Sequence, residues 1–195
     1  MKRRKSETNM ERSNFDAIQY FTDMTQRNRL AVENGFQPVT ISNSDNLEGI
    51  FSLYRDYSRF VAISDTNSGN LSSPDGAYGF SKRRAYTVFI LSAYEYDNME
   101  DRQRNLDLCR KLFHQFVSRI IRDKYLYDEK QMYFDTHAIP NQEIGRYYLS
   151  GMTGLHFTLY VQEPIDLVYD EDQWIANYGD ALPWIFPVTF GPIPE

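Results

Sequence analysis

The run from Arg83 to Lys124 constrains this fold more than any other stretch of the chain. It opens as RRAYTVFILSAYEY, which is apolar at both parities. Ala85, Phe89, Leu91 and Ala93 fall on one, and Tyr86, Val88, Ile90 and Tyr94 on the other. Successive strand side chains point to opposite faces, so this run belongs at a sheet centre, covered on both sides by its own chain or by neighbouring subunits. It continues as DNMEDRQRNLDLCRKLFHQFVSRIIRDK. There Leu106, Cys109, Phe113, Phe116 or Val117, and Ile120 follow the i, i+3/i+4, i+7 rule of one helical face. Asp97 or Asn98 is placed to cap the helix. Glu100 and Asp101 fall in its first turn and Arg119, Arg122 and Lys124 in its last, opposing the helix dipole at both ends. This unit reads as scaffold rather than active site.

The rest of the chain divides around it. Residues 1–13 form a mobile basic arm, polar and without a face to bury. Residues 14–162 form one α+β core domain, and 163–195 a Pro- and aromatic-rich acidic extension. Within the core, Asn14 caps an amphipathic helix carrying Phe15, Ile18, Phe21, Met24, Leu30 and Val32, stopped at Asn34-Gly35. Phe36–Ser42 is a strand that Pro38 pushes to an edge. Ser44 or Asp45 caps a short helix over Leu47, Ile50, Phe51 and Tyr54, and Phe60–Ser64 is a strand. Asp65–Gly79 is rich in Gly, Ser, Asn, Asp and Pro and reads as a long exposed loop, either a wide hairpin or a segment that folds on a partner. After the long helix, Met132–Ala138 and Glu143–Leu149 read as strands, with a turn at Ile139–Asn141. Thr153–Val161 alternates with Leu155, Phe157, Leu159 and Val161 on its buried face, giving a late hairpin. The predicted architecture is a mostly antiparallel sheet with the long amphipathic helix and the N-terminal helix packed on it, followed by an extended C-terminal segment.

Charge is uneven. The net charge is −6, so the whole chain is no general polyanion binder. Yet Lys2, Arg3, Arg4, Lys5 and Arg12 crowd the start, and Gln162–Glu195 holds no Lys or Arg beside seven acidic residues. Oppositely charged ends can join copies of a chain. Fifteen tyrosines and thirteen phenylalanines suit both strands and protein interfaces. No apolar run approaches the roughly 18 residues of a membrane span, and the basic start lacks the apolar run of a signal peptide.

Catalytic signatures are sparse. Cys109 lies on the apolar face of the long helix, as a small core residue does. Asp135, His137 and His156 can be drawn as a metal site, but their spacing matches no zinc pattern, and polar residues on an exposed sheet face account for them more simply. G-x-S-x-G, H-E-x-x-H, a Walker-type loop and G-x-G-x-x-G do not occur, and Gly151–Gly154 reads as turn chemistry. The residues that stand out suit contact rather than catalysis: Lys2, Arg3, Arg4 and Lys5 in the arm; Asp65, Asn70, Asp75 and Tyr78 in the loop; Asp170, Glu171, Asp172, Trp174, Trp184 and Phe186 in the extension. Large apolar side chains in such an extension either wrap their own domain or dock on a neighbour.

In layout the chain resembles the small α+β proteins of the tailed-phage neck and tail end: tail-terminator, tail-completion and head–tail joining proteins. The resemblance rests on RRAYTVFILSAYEYD, on the helix MEDRQRNLDLCRKLFHQFVSRIIRD and on the hairpin EIGRYYLSGMTGLHFTLYV, and covers roughly Asn14–Val161. The acidic DLVYDEDQW end adds a likeness to phage or prophage proteins of gut Bacteroidetes. The resemblance implies a structural virion protein at the tail or neck, assembled in the host cytoplasm. It implies a homo-oligomeric ring, typically a hexamer, that ends the tail tube or joins head to tail. Its implied partners are tail tube, sheath or neck and portal-ring proteins, with non-specific contact to DNA in the lumen and none with membrane. It brings no catalytic residue and no cofactor. Two alternatives stay open: a small regulatory or interaction module whose basic arm contacts nucleic acid, and a metal-dependent enzyme built on Asp135, His137 and His156.

Overall fold

The computed structural model describes residues 15–41, 57–64, 68–72, 80–129, 132–144 and 151–165. In chain order the elements are α1 (Ala17–Arg27), α2 (Arg29–Glu33), β1 (Gln37–Ile41), β2 (Arg59–Ser64), β3 (Ser68–Ser72), β4 (Phe80–Ala93), α3 (Met99–Asp128), β5 (Tyr133–Asp135), β6 (Asn141–Ile144) and β7 (Met152–Ile165). The chain is α+β, with helices on a seven-stranded sheet.

The doubly apolar run is the sheet centre. β4 pairs antiparallel with β7 along all its length, from Phe80↔Ile165 to Ala93↔Met152. Each of these long strands carries two short ones on its outer edge. β2 pairs with Arg59↔Ser92 to Ile63↔Val88, and β3 with Ser68↔Ala85 to Ser72↔Ser81. Across the sheet, β6 pairs with the start of β7 and β5 with its later part. One end of the sheet therefore reads β1-β2-β4-β7-β6 and the other β3-β4-β7-β5. β1 joins β2 in parallel and is the flank strand, where Pro38 loses no ladder bond that a central strand needs.

Both parities of β4 find apolar partners. Tyr86, Val88 and Ile90 meet Phe157, Leu159 and the helices. From α3 come Cys109, Leu112, Phe113, Phe116 and Ile120, and from α1 come Phe21 and Met24. Each fully buried Phe here contributes about 1.5–3 kcal/mol relative to exposure. On the far face, Phe89 and Leu91 form a second buried cluster with Ile41, Phe60, Ala62 and Ile144. Arg59 ties the layers together. Its guanidinium donates to Ser92 Oγ, to the Asn34 carbonyl and to Asn105 Oδ1 on α3, each at 3.1 Å.

Several expectations need correction. Asn98 caps α3 and Glu100 and Asp101 fill its first turn, but the helix runs on to Asp128 and its last turn holds no basic residue. Arg119, Arg122 and Lys124 sit inside the helix, which packing of Tyr127 against Phe15 and Phe134 extends. Asp16, not Asn14, caps α1, leaving Phe15 before the helix. Asn28 then breaks it, capping α2 through its side chain. Val32 is exposed rather than core. Within Asp65–Gly79, Ser68–Ser72 is a strand paired with β4, so the wide-hairpin form holds and its connection is 73–79. Of Met132–Ala138, only Tyr133–Asp135 is strand. The late hairpin begins at Asn141, a strand residue in place of the expected turn. Gly154 lies inside β7 with φ +151, and a side chain there would meet the Ile90 carbonyl. Gly151, at φ +79, is the turn residue. β7 continues to Ile165, past the expected core boundary at Gln162, because Glu163 has a buried role. The short helix expected after Ser44 and the strand residues 145–149 lie outside the described residues.

Candidate interaction surface

Of the residues singled out for contact, Asn70 lies on β3 opposite Arg83 and is exposed. Lys2, Arg3, Arg4, Lys5, Asp65, Asp75, Tyr78, Asp170, Glu171, Asp172, Trp174, Trp184 and Phe186 lie outside the described residues. Their segments join the body at residues that the structure describes. The connection 73–79 leaves Ser72 and returns at Phe80, and Phe80 pairs with Ile165, the last residue of β7 before the acidic extension. The arm joins at Phe15, whose N–H donates to Glu163 Oε2 at 2.9 Å, two residues before β7 ends. Arm, hairpin connection and extension therefore attach at the same end of the sheet. Asp65 follows Ser64, the last residue of β2, and so does not belong to a segment that joins at this end.

The anchor of this end is a buried carboxylate. Glu163 is 2 % exposed and pairs with Arg84, Nε to Oε1 at 2.6 Å, besides holding Phe15. Lys82 lies opposite Glu163 in the ladder, so β4 enters this end as Lys82-Arg83-Arg84. On the far face Arg83 pairs with Asp135 at 2.8 Å and stacks over Tyr160 at 4.6 Å. Around Phe15 the rings of Tyr20, Tyr86, Tyr127 and Phe134 lie with centroids 5.2–5.7 Å away, mostly edge to face. Burial pushes the Tyr86 hydroxyl above the usual phenol range.

Beside this aromatic group, α1 and the end of α3 enclose a groove of about 210 Å³. It is lined by Tyr20, Asp23, Arg119, Asp123, Leu126 and Tyr127 among others. Asp123 is 3 % exposed, and its Oδ2 accepts from Tyr20 (3.1 Å) and from Arg119 Nε (2.6 Å). Its Oδ1 is buried and accepts no hydrogen bond. Burial, then the charge of Asp123, raises the Tyr20 hydroxyl far above the ordinary phenol value. Burial likewise raises Tyr127. This site has one signal in the sequence. Asp123 follows Phe116 and Ile120 at i+7 and i+3, so an acid falls on the buried stripe of the helix.

The drawn metal set does not come together. Asp135 faces Tyr160, whereas His156 sits opposite Gln142, four residues back along β7 or about 13 Å at strand rise. His137 is exposed, and Asp135 is already paired with Arg83. His156 packs on Phe89, and burial lowers its pKa. Among the described residues no group of three His, Cys, Asp or Glu is arranged to hold a metal ion. Burial pushes the Cys109 thiol up to about 12, so it stays protonated and unreactive in the core. No helix among the described residues is long and apolar enough to cross a membrane. No protein-family model and no curated protein matches the chain.

Proposed function

We propose that the chain is a structural subunit of a tailed-phage particle, closing into a ring, typically of six copies, at the neck or tail end. The observation that carries this reading is the shared attachment of three contact segments at one end of a rigid body. Copies in a ring are related by rotation about its axis, so equivalent points lie at one height. The basic arm of each copy then meets the level of its neighbour's acidic extension. Opposite charges favour that pairing and fix its direction around the ring. The hairpin connection 73–79, at the same level, reaches the adjoining ring or tube. An acidic lining lets DNA pass through the lumen without strong phosphate contact.

The test is electron microscopy of the purified protein, with mass measured by sedimentation at low and moderate salt. Closed rings of one size are expected, weakened by salt. A strict monomer at high concentration that forms no ring with tube or neck proteins overturns the reading. A second reading, a module whose basic arm contacts nucleic acid, draws on Lys82, Arg83 and Arg84 where the arm leaves. Arg83 and Arg84 are already paired with carboxylates, which favours the ring. DNA affinity that falls steeply with salt for the whole chain, and not for one lacking the arm charges, supports the module instead.

A further inference from the structure

We propose that copies of this chain join edge to edge, β3 of one copy adding as an antiparallel strand to β5 of the next, so that the sheet runs on from copy to copy. That the series closes into a ring rests on the reading above; the pairing of these two strands does not. Three observations point to a second copy as the partner. The first is level. Asn70 pairs with Arg83, Arg83 with Gln162 and Gln162 with Tyr133, so one row crosses β3, β4, β7 and β5. The edges at its two ends stand at one height. They also break at one height. On one side β3 reaches Ala85 of β4, and β2 takes over at Val88. On the other β5 reaches Tyr160 of β7, and β6 takes over at Phe157. Ala85 faces Tyr160 and Val88 faces Phe157. The two edges therefore share one profile, and a second copy brings the matching edge by construction.

The second observation is sense. β3 runs against β4, β4 against β7 and β7 against β5, so β3 and β5 run in opposite directions. A copy turned about an axis along the strands keeps its direction, and its β3 meets β5 antiparallel, as every other pair in the row does. The third is that both edges are open. Among the described residues no strand lies beyond β3 or beyond β5. Proteins close such edges with Pro or Lys, among other devices. β1 has Pro38, whereas β3 and β5 hold neither, and the charge of Asp135 is taken up by Arg83. Continued without shift, the row sets Gly69 opposite Phe134 and Asn70 opposite Tyr133. The residue without a side chain meets a large ring. Leu71, 60 % exposed, then lies diagonal to Phe134 on the helix side, and Tyr133, 52 % exposed, is covered on the other. In this mode the main chain supplies affinity and the side chains beside it set the partner.

The experiment oxidises the full chain carrying Asn70→Cys together with Tyr133→Cys. Within one chain these positions are separated by β4 and β7, about 14–15 Å at strand spacing, whereas a disulfide needs Cα atoms under about 7 Å apart. Only a bond between copies can form. Mild oxidation should give a covalent ladder of multimers on a non-reducing gel. Each single variant should give none, and neither should Asn70→Cys with Val32→Cys, a position as exposed on α2. Leu71→Lys in the otherwise native chain should weaken association in sedimentation at least tenfold, with an unchanged circular dichroism melt. No ladder, a ladder equal to that of the Val32 control, or association unmoved by Leu71→Lys overturns the pairing. A ladder that runs on with no closed species refutes the ring reading and leaves the pairing standing. Closed rings in electron microscopy whose subunits do not cross-link do the reverse.

Discussion

Replacing Glu163 with Ala tests the anchor on which this end of the molecule depends. The carboxylate holds Arg84 on one oxygen and the Phe15 N–H on the other, almost wholly out of water. Removing it strands both. Breaking a buried ion pair costs about 3–5 kcal/mol, and an unsatisfied backbone donor about 1–3. The Arg84 side chain is 20 % exposed and can recover some hydration, so the first figure applies at its low end. The two losses share one carboxylate and do not simply add. We expect about 3–5 kcal/mol in all, a large share of the roughly 5–15 kcal/mol that holds a domain folded. Glu163→Gln keeps an acceptor for Phe15 but loses the charge, and should cost about 1.5–3 kcal/mol, the range of a hydrogen bond to a charged group. Urea unfolding with an unchanged m-value measures both. Amide exchange at Phe15 should accelerate in the Ala variant and much less in the Gln variant. If Glu163→Ala shifts stability by under about 0.5 kcal/mol, or Phe15 exchanges as before, the carboxylate is no anchor and the reasoning fails.

Three further outcomes are expected. Phe113→Ala removes a ring that packs 5.2 Å from Phe157, and should destabilise by about 3–5 kcal/mol in the same assay. Gly154→Ala forces a side chain onto the Ile90 carbonyl at φ +151, and should cost about 2–4 kcal/mol by thermal melt, through strain and overpacking together. Cys109 ionises at 9.0 ordinarily and at about 12 when buried. Between these values the folded chain keeps a proton that the unfolded chain releases, so this residue's contribution is whole below pH 9 and is lost as pH rises towards 12. Cys109→Ala should flatten that alkaline decline, and the native thiol should resist a disulfide reagent until the chain unfolds.

The spine was legible because its signals are local and strong. The two parities of β4, the spacing along α3 and the alternation of Leu155 to Val161 each appear within a short window. β3 was not legible. Ser-Gly-Asn-Leu-Ser has little strand propensity, and it pairs because the edge of β4 beyond Val88 offers unmet backbone groups. The end of α3 was misjudged for a similar reason. Arg119 to Lys124 look like a closing turn, yet Tyr127 gains more by packing on Phe15 and Phe134 than the dipole loses. Glu163 and Asp123 look in sequence like ordinary solvated charges, yet both are buried. Their burial depends on Phe15 and Tyr20, which are more than a hundred residues away and reach them only in the fold. The three segments stand out by composition, but their meeting at one end follows from the β3–β4 and β4–β7 pairing and from the hydrogen bond of Phe15 to Glu163.

The pairing of β4 with β7 also sets an order of events during synthesis. The strands join residues 59 positions apart at Ala93–Met152 and 85 apart at Phe80–Ile165, contacts whose loop-closure entropy slows folding. β4 leaves the ribosome long before its partner exists. α3 follows it directly and can cover one of its apolar faces early. The β7 edge stays open until residue 165 has emerged. During that interval the nascent chain presents a bare apolar strand to every other copy being made nearby, and its yield of soluble protein should depend on translation rate and chaperone supply more than on the final stability.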